Sequence, residues 1–421
     1  MVGRTQAAAA WAAVLQRVID ASHLTTGDQL SLLVDGAVEP VGLTADVLMV
    51  DLAQEMLTPL RTTAGAQVSV TGTMAGRAFQ IGEILPASDE DGAQLLWVPM
   101  LDGTERIGVL RVGLDPPDGG SADPVVDDTA LRRWLWTLSG LVGHVLVTKL
   151  VYSDRLRRWR TNGQLTAESE LLWQLLPPRT FATEQVVVSA ILEPPAQVAG
   201  DAYDYNVDGD VVDLAVFDSV GHDLRASMTT ALAVTGVRNA RRGGEEDLVR
   251  IAARADELIL QQEGSLQFAT AVLGRLDVVT GNLDYLIAGH PPPLLVRNGR
   301  VVKELDAPPR LPLGVVAAGT TPAAVAREQL EPGDRLLLYS DGITEARDGQ
   351  GRFFGEQRLV EFVEHAAAAE LSAPETLRRL AAAVLEHQHG RLQDDATLLL
   401  VDWSTEGHLR MLPTFPSARP A

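Results

Sequence analysis

Four short stretches of the chain deliver aspartates at the ends of runs that read as strands. AGDAYDY (199–205) carries Asp201 and Asp204, and AVFDSVGHD (215–223) ends an aliphatic run at Asp218. RLLLYSDGITEARD (335–348) ends another at Asp341, with Gly342 directly after it, and QDDATLLLV (393–401) sets Asp394 and Asp395 just before a third. Each alone is ordinary turn chemistry, because Asp at a strand end hydrogen-bonds nearby backbone. Together they point elsewhere. If two sheets pack face to face so that these tips converge, four carboxylates about 5 Å apart repel by roughly 3 kcal/mol per pair at an effective dielectric near 20. Such a cluster either keeps protons or holds cations, and all-oxygen donors select hard ions such as Mg²⁺ or Mn²⁺ over zinc. Acids that bridge two such ions suit in-line displacement at phosphorus.

The elements that must position these acids follow from the patterning. VVVSAIL (186–192), VVDLAVF (211–217), FATAVLGRLD (268–277), LDYLIAG (283–289), GDRLLLYSD (333–341) and ATLLLVDW (396–403) read as strands. Residues 223–242, 245–263, 356–369 and 374–389 read as helices, with Asp223 at a helix start, where an anion is favourable. APPRLPLGVVAAGTTP (307–322) reads as a loop, either a substrate-facing flap or a long connection.

With LLWQLLPPR, FATAVLGRLD, IAGHPPPLL, LPLGV, FGEQRL and DDATLLLV in order around the four acidic stretches, residues 170–404 resemble the metal-dependent serine/threonine phosphatases of the PPM superfamily. The branch they resemble is the SpoIIE-like one of bacterial stress and sporulation signalling. The resemblance implies an α-β-β-α sandwich of two antiparallel sheets flanked by helices. It implies that Asp201, Asp218, Asp341 and Asp394 are the catalytic set, holding two Mn²⁺ or Mg²⁺ ions. Asp201 serves one ion, Asp218 bridges both with the backbone carbonyl of Ser219 beside it, and Asp341 and Asp394 complete the second. Asp395 is adjacent to that shell, and Asp204 either supports the first motif by hydrogen bonding or caps a turn. The implied reaction is attack of a metal-activated water on phosphoserine or phosphothreonine, with no phosphoenzyme. His222 and His290 are candidate proton donors, a metal-bound water being the alternative, and a structural hydrogen-bonding role fits His290 better. Ala199, Asp223 and Ile287 depart from the family pattern, but none replaces a ligand, so an active enzyme is expected. By family analogy the substrate is a phosphorylated STAS-type anti-sigma-factor antagonist. The rival reading is a non-catalytic phosphoprotein-binding regulator on a phosphatase fold.

The front half reads differently. Residues 1–24 form an N-terminal helix by pattern. Residues 25–128 resemble a GAF-like α/β sensor domain, on the strength of AGRAFQIGE and of the hairpin LLWVPMLDGTERIGVLRVGL (95–114) that turns at Asp102-Gly103. The sensor's small ligand is not specified by these residues. Residues 129–176 are expected to be a helical connector. Leu131, Leu135, Leu138, Val142, Val145, Lys149, Tyr152, Leu156 and Trp159 recur at steps of four and three, the 3.5-residue period of a coiled-coil seam, which predicts a homodimer. The alternative is an ordinary core helix closing the sensor domain. The phosphatase-like domain then spans 177–404 and a mobile tail 405–421, giving an α+β protein overall.

Composition narrows the partners. The chain has 421 residues, a net charge of −21 and no cysteine. Thiolate zinc sites, disulfides and cysteine nucleophiles are therefore excluded. An acidic surface of this size disfavours nucleic acid and anionic membranes. WLWTLSGLVGHVLV (134–147) is shorter than the ~20 residues a bilayer requires, so no membrane span and a cytoplasmic location are expected.

Overall fold

In the computed structural model the chain divides into two units, Met1–Gln164 with Leu409–Ala421, and Leu165–His408. The structure describes all residues except 1, 62–66, 90, 115–127, 162–164, 194–196, 198, 222, 263–266, 316–323, 391, 404–405 and 412–421.

The first unit is built on an antiparallel sheet of β1 (Leu43–Val50), β2 (Met56–Pro59), β3 (Val68–Ser69), β4 (Leu85–Ser88), β5 (Gln94–Asp102) and β6 (Glu105–Leu114), in the order β3-β2-β1-β6-β5-β4. Period-2 alternation splits the apolar residues of β1 between the faces. Ala45, Val47 and Met49 join a core with Trp11, Val14 and Val18 of the helix Val2–Ser22. Leu48 and Val50 turn to the other side, against Ala75 and Phe79 of the helix Met74–Ile81.

The expected coiled-coil seam does not stand free. Leu135, Leu138, Val142 and Val145 of the helix Thr129–Leu150 are buried in this unit's own core, and the buried Lys149 donates to the Ser22 carbonyl at 2.6 Å. The chain then bends by 107° into the helix Asp154–Thr161. The segment 129–176 is thus not one connector. Its first part belongs to the first unit, and the helix Ala167–Leu175 opens the second. The reason is geometric: over six turns a 3.5-residue seam and a 3.6-residue core stripe drift apart by too little to be told apart by sequence. Among the described residues no single helix is long and apolar enough to cross a membrane. Of the expected mobile tail, Gly407–Met411 forms a short 3-10 helix with Met411 buried, and 412–421 lie outside the described residues.

The second unit packs two antiparallel sheets face to face. One has the order β15-β12-β11-β10-β9, from β9 (Asp201–Asp208), β10 (Val211–Ser219), β11 (Ala269–Asp277), β12 (Asn282–Ala288) and β15 (Ala326–Gln329). The other has the order β14-β13-β16-β17-β8-β7, from β7 (Thr180–Ala182), β8 (Val186–Glu193), β13 (Leu294–Arg297), β14 (Arg300–Glu304), β16 (Asp334–Tyr339) and β17 (Ala396–Trp403). Between them lies a core of Tyr203, Val212, Leu214, Val216, Leu336, Leu338, Leu399 and Val401. Helices Leu224–Arg242 and Leu248–Leu260 cover the first sheet through Val234, Val237, Ile251 and Ile259 against Ala202, Ala215 and Phe217. Helices Gly355–Ala368 and Ala373–His387 cover the second. The layers are therefore α-β-β-α, as the resemblance implies.

Candidate active site

The inward stripes of the strands carry the acids. In β10, Val212, Leu214 and Val216 face the inter-sheet core, and Asp218 is the next residue of that stripe. In β9, Asp201 begins the stripe that Tyr203 continues, and register sets Asp201 directly opposite Asp218. From the other sheet, β16 ends at Tyr339 and hands the chain through Ser340 to Asp341. Ser340 is tied to the start of β17, its N–H donating to the Thr397 carbonyl at 3.0 Å and its Oγ accepting from the Thr397 N–H at 2.9 Å. Asp394 and Asp395 lie just before that strand.

Electrostatics records the convergence. Burial pushes the Asp218 carboxyl up to about 7, with repulsion from Asp341 and then Asp394 adding to it. Burial also raises Asp201 well above the ordinary carboxylate range, reinforced by Asp218 and then Asp395. Asp341 is raised by burial and then by Asp394. Asp218 is thus the centre of the group, in the fields of Asp341 and Asp394 and itself acting on Asp201, although these acids lie up to 193 residues apart in sequence. Asp201 Oδ2 is buried without a hydrogen-bond partner. Like charges directly opposite in a sheet are destabilising, and a buried unpaired carboxylate oxygen is costly. A hard divalent cation relieves both, so the donor set fits one. Among the described residues no three His, Cys, Asp or Glu side chains are grouped closely enough to hold a metal ion as they stand. Hard ions of this kind keep several waters, and an open set of carboxylates is compatible with that.

Asp395 has a different task from its neighbour. Its Oδ2 accepts from the backbone N–H groups of Gly200 at 2.7 Å, Ala199 at 2.9 Å and Asp201 at 3.3 Å. It clamps the turn that aims Asp201. Ser219 supports the same turn, its N–H donating to the Gly200 carbonyl at 3.1 Å. A Cβ on Gly200 would meet the Ser219 and Gly221 carbonyl oxygens at 2.9 Å, so the backbone crowds here as only glycine permits. Gly342 is more restrictive still: a Cβ there would lie 1.8 Å from the Asp395 carbonyl. That contact explains why a glycine must follow Asp341.

One expectation changes. Asp204 neither bonds to the Asp201 turn nor caps one. It sits inside β9 opposite Ala215, fully buried, and faces the helix layer. There Arg238 bonds it through Nε at 2.9 Å and through NH2 at 2.5 Å, and Arg241 at 2.5 Å. Three residues along a strand invert the face, so Asp201 and Asp204 cannot share a site. Reading Asp204 as part of the acidic motif missed this. The available signal was Arg238 and Arg241 at i,i+3 on a helix facing the strand. A cleft of about 670 Å³ opens beside this pair and is lined also by Asp213, Arg275 and Glu246; none of the four expected ligands lines it.

His290 is buried and held by two hydrogen bonds, to Thr270 Oγ1 and the Tyr339 carbonyl, which is the structural role expected. Burial pushes its pKa down to about 4, against the pull of the Tyr339 carbonyl, which leaves it a poor proton donor. His222 lies outside the described residues. Asp223 caps its helix as expected, accepting from the N–H groups of Arg225 and Ala226.

Comparison with known proteins finds several relatives of this chain. Residues 208–404 match the family described as Stage II sporulation protein E (SpoIIE). Protein IcfG of Synechocystis sp. is 27% identical over 269 residues, covering 56% of this chain and 41% of its own length. The phosphoserine phosphatase RsbU of Bacillus subtilis is 24% identical over 228 residues, covering 54% of this chain and 66% of its own. Among solved structures, the RsbU and RsbW domains of a Mycobacterium tuberculosis protein are 30% identical, covering 52% of this chain and 60% of theirs, at a TM-score of 0.43. The chain thus spans less than two thirds of the length of these relatives.

Proposed function

We propose, supported by the match of residues 208–404 to the SpoIIE family and by the likeness to a phosphoserine phosphatase, that the second unit hydrolyses phosphoserine or phosphothreonine esters on a protein. The observation that carries the reading is the register pairing of Asp201 directly opposite Asp218 at the end of one sheet, with both raised by burial and Asp341 and Asp394 adding to the rise at Asp218. Asp201, Asp218, Asp341 and Asp394 would hold two Mn²⁺ or Mg²⁺ ions, with the Ser219 carbonyl as a further donor. Bound there, such ions would acidify a water and neutralise charge on the phosphoryl oxygens. The chain's own part is positional. Asp395 and Gly200 fix the turn that presents Asp201, and Gly342 lets Asp341 approach the Asp395 backbone. Pairing of β9 with β10 holds Asp201 against Asp218. Preorganisation of this kind is where most of the rate in phosphoryl transfer arises.

The finer reading concerns substrate and control. A relative named as a phosphoserine phosphatase, RsbU, supports a phosphorylated protein as substrate, and we assign a STAS-type anti-sigma-factor antagonist to that place. The antiparallel sheet of the first unit, helices on both faces, supports a GAF-like sensor that regulates the second unit. The full-length protein, stripped with EDTA, should release phosphate from a phosphothreonine peptide only after Mn²⁺ is restored. Turnover in EDTA equal to that in Mn²⁺ would reject metal-dependent hydrolysis. Absence of turnover with Mn²⁺, alongside retained phosphopeptide binding, would favour the scaffold reading.

A further inference from the structure

Besides the Asp395 clamp, a second polar link joins the two sheets at the acid end, and it runs through one side chain. His290 follows β12 and is 6% exposed. Its Nε2 lies 3.0 Å from the Tyr339 carbonyl, which can only accept, so Nε2 carries the proton. Nδ1 is then the acceptor, and the Thr270 hydroxyl donates to it at 2.6 Å. Thr270 stands in β11 directly opposite Asp218. Tyr339 ends β16, two residues before Asp341. One imidazole therefore links the first sheet beside one acid to the second sheet beside another.

We propose that His290 is a positioning residue that sets the separation of Asp218 and Asp341, and so the affinity of the site for divalent cations. The inference rests on the reading of these acids as the metal site. Asp218 lies in β10 of one sheet, and Asp341 opens the short helix Asp341–Thr344 just past β16 of the other, so like charge on the two acts to widen the gap between the sheets. Without this strut the Asp395 clamp alone opposes widening of the gap on the polar side, and ion binding must then close it at a cost in affinity. Groups that orient ligands in this way typically contribute 10–100-fold to metal affinity. The ring stays neutral at working pH because burial holds its pKa near 4, so both hydrogen bonds persist there.

The test uses full-length wild type, Thr270→Val, His290→Leu and His290→Gln, each stripped of metal and titrated with Mn²⁺ by calorimetry. The thermal midpoint of each metal-free protein is measured alongside. Val keeps the shape of Thr and removes only the hydroxyl, while Gln retains one donor and one acceptor. The Mn²⁺ affinity should fall by about tenfold or more in Thr270→Val and His290→Leu, and return to within about threefold in His290→Gln. Affinities of Thr270→Val and His290→Leu that stay within about twofold of wild type overturn the proposal, even where the thermal midpoints drop. A wild-type protein that binds no Mn²⁺ overturns instead the assignment of the acids as a metal site, so the two failures are told apart.

Discussion

Two carboxylates three residues apart on one strand have opposite surroundings. Asp204 faces the helices and is met by two guanidinium groups, Arg238 and Arg241. Asp201 faces the other sheet and is met by Asp218 and Asp395, with the hydroxyls of Ser340 and Thr397 pulling its pKa part of the way back down. Both are buried, and both begin from the same AGDAYDY motif. The chain supplies the counter-charge for one and not for the other. A buried acid that the protein neutralises itself is part of the fold; a cluster that it leaves unneutralised is a place for a cation from outside.

That contrast is open to direct attack. Asp218→Asn or Asp341→Asn should lower kcat on a phosphothreonine peptide by about 10⁴-fold, because each removes a ligand and leaves the layers intact. Asp204→Asn should keep turnover within about tenfold of wild type when assayed well below its melting point. Near-normal turnover in the first pair, or its loss in the second, would break the distinction. In stability the ranking reverses. Asp204→Ala strands two arginines against an apolar layer and should cost about 3–5 kcal/mol in urea unfolding, as removal of one partner from a buried pair does.

The smaller effects sharpen the same comparison. In metal-free protein, Asp218→Asn removes a repelling charge and should stabilise the second unit by about 1–2 kcal/mol, whereas no Asp204 variant should stabilise it. The pH dependence carries the same sign. The folded-state pKa of Asp218, about 7, lies above the ordinary carboxylate value near 3.9, so its contribution is fully present at low pH and fades as pH rises through 7. Asp201 and Asp341 are shifted the same way. The thermal midpoint of the metal-free protein should therefore fall by several degrees between about pH 5 and 8, and saturating Mn²⁺ should remove most of that slope. A midpoint that rises over this interval without metal would contradict the burial of the acids.

Much of this was legible in the residues. Asp218 and Asp341 close aliphatic runs that read as buried strands, and for Asp218 strand parity with Val212, Leu214 and Val216 already gives the core face, whereas Asp341 lies one step past Ser340, out of phase with Leu336 and Leu338. The Asp-Gly step at 341–342 was visible, but the reason for it, the Asp395 backbone lying across Gly342, depends on a contact between segments 53 residues apart. Asp204 was misjudged because its motif shows two acids and only strand parity separates their faces. Asp395 looked like a spare ligand, yet its oxygen serves three backbone N–H groups nearly 200 residues away, which no local pattern encodes. The seam at 131–149 was readable as an apolar stripe, but what it faced was decided by the sheet that its own unit supplies.

Crystals of the full-length protein grown with Mn²⁺, with data collected at the manganese absorption edge, test the central claim most directly. The account predicts anomalous peaks among Asp201, Asp218, Asp341 and Asp394, and none at Asp204. Saturating Mn²⁺ that leaves those four carboxylates without a peak, or that places the ions elsewhere in the second unit, would contradict it.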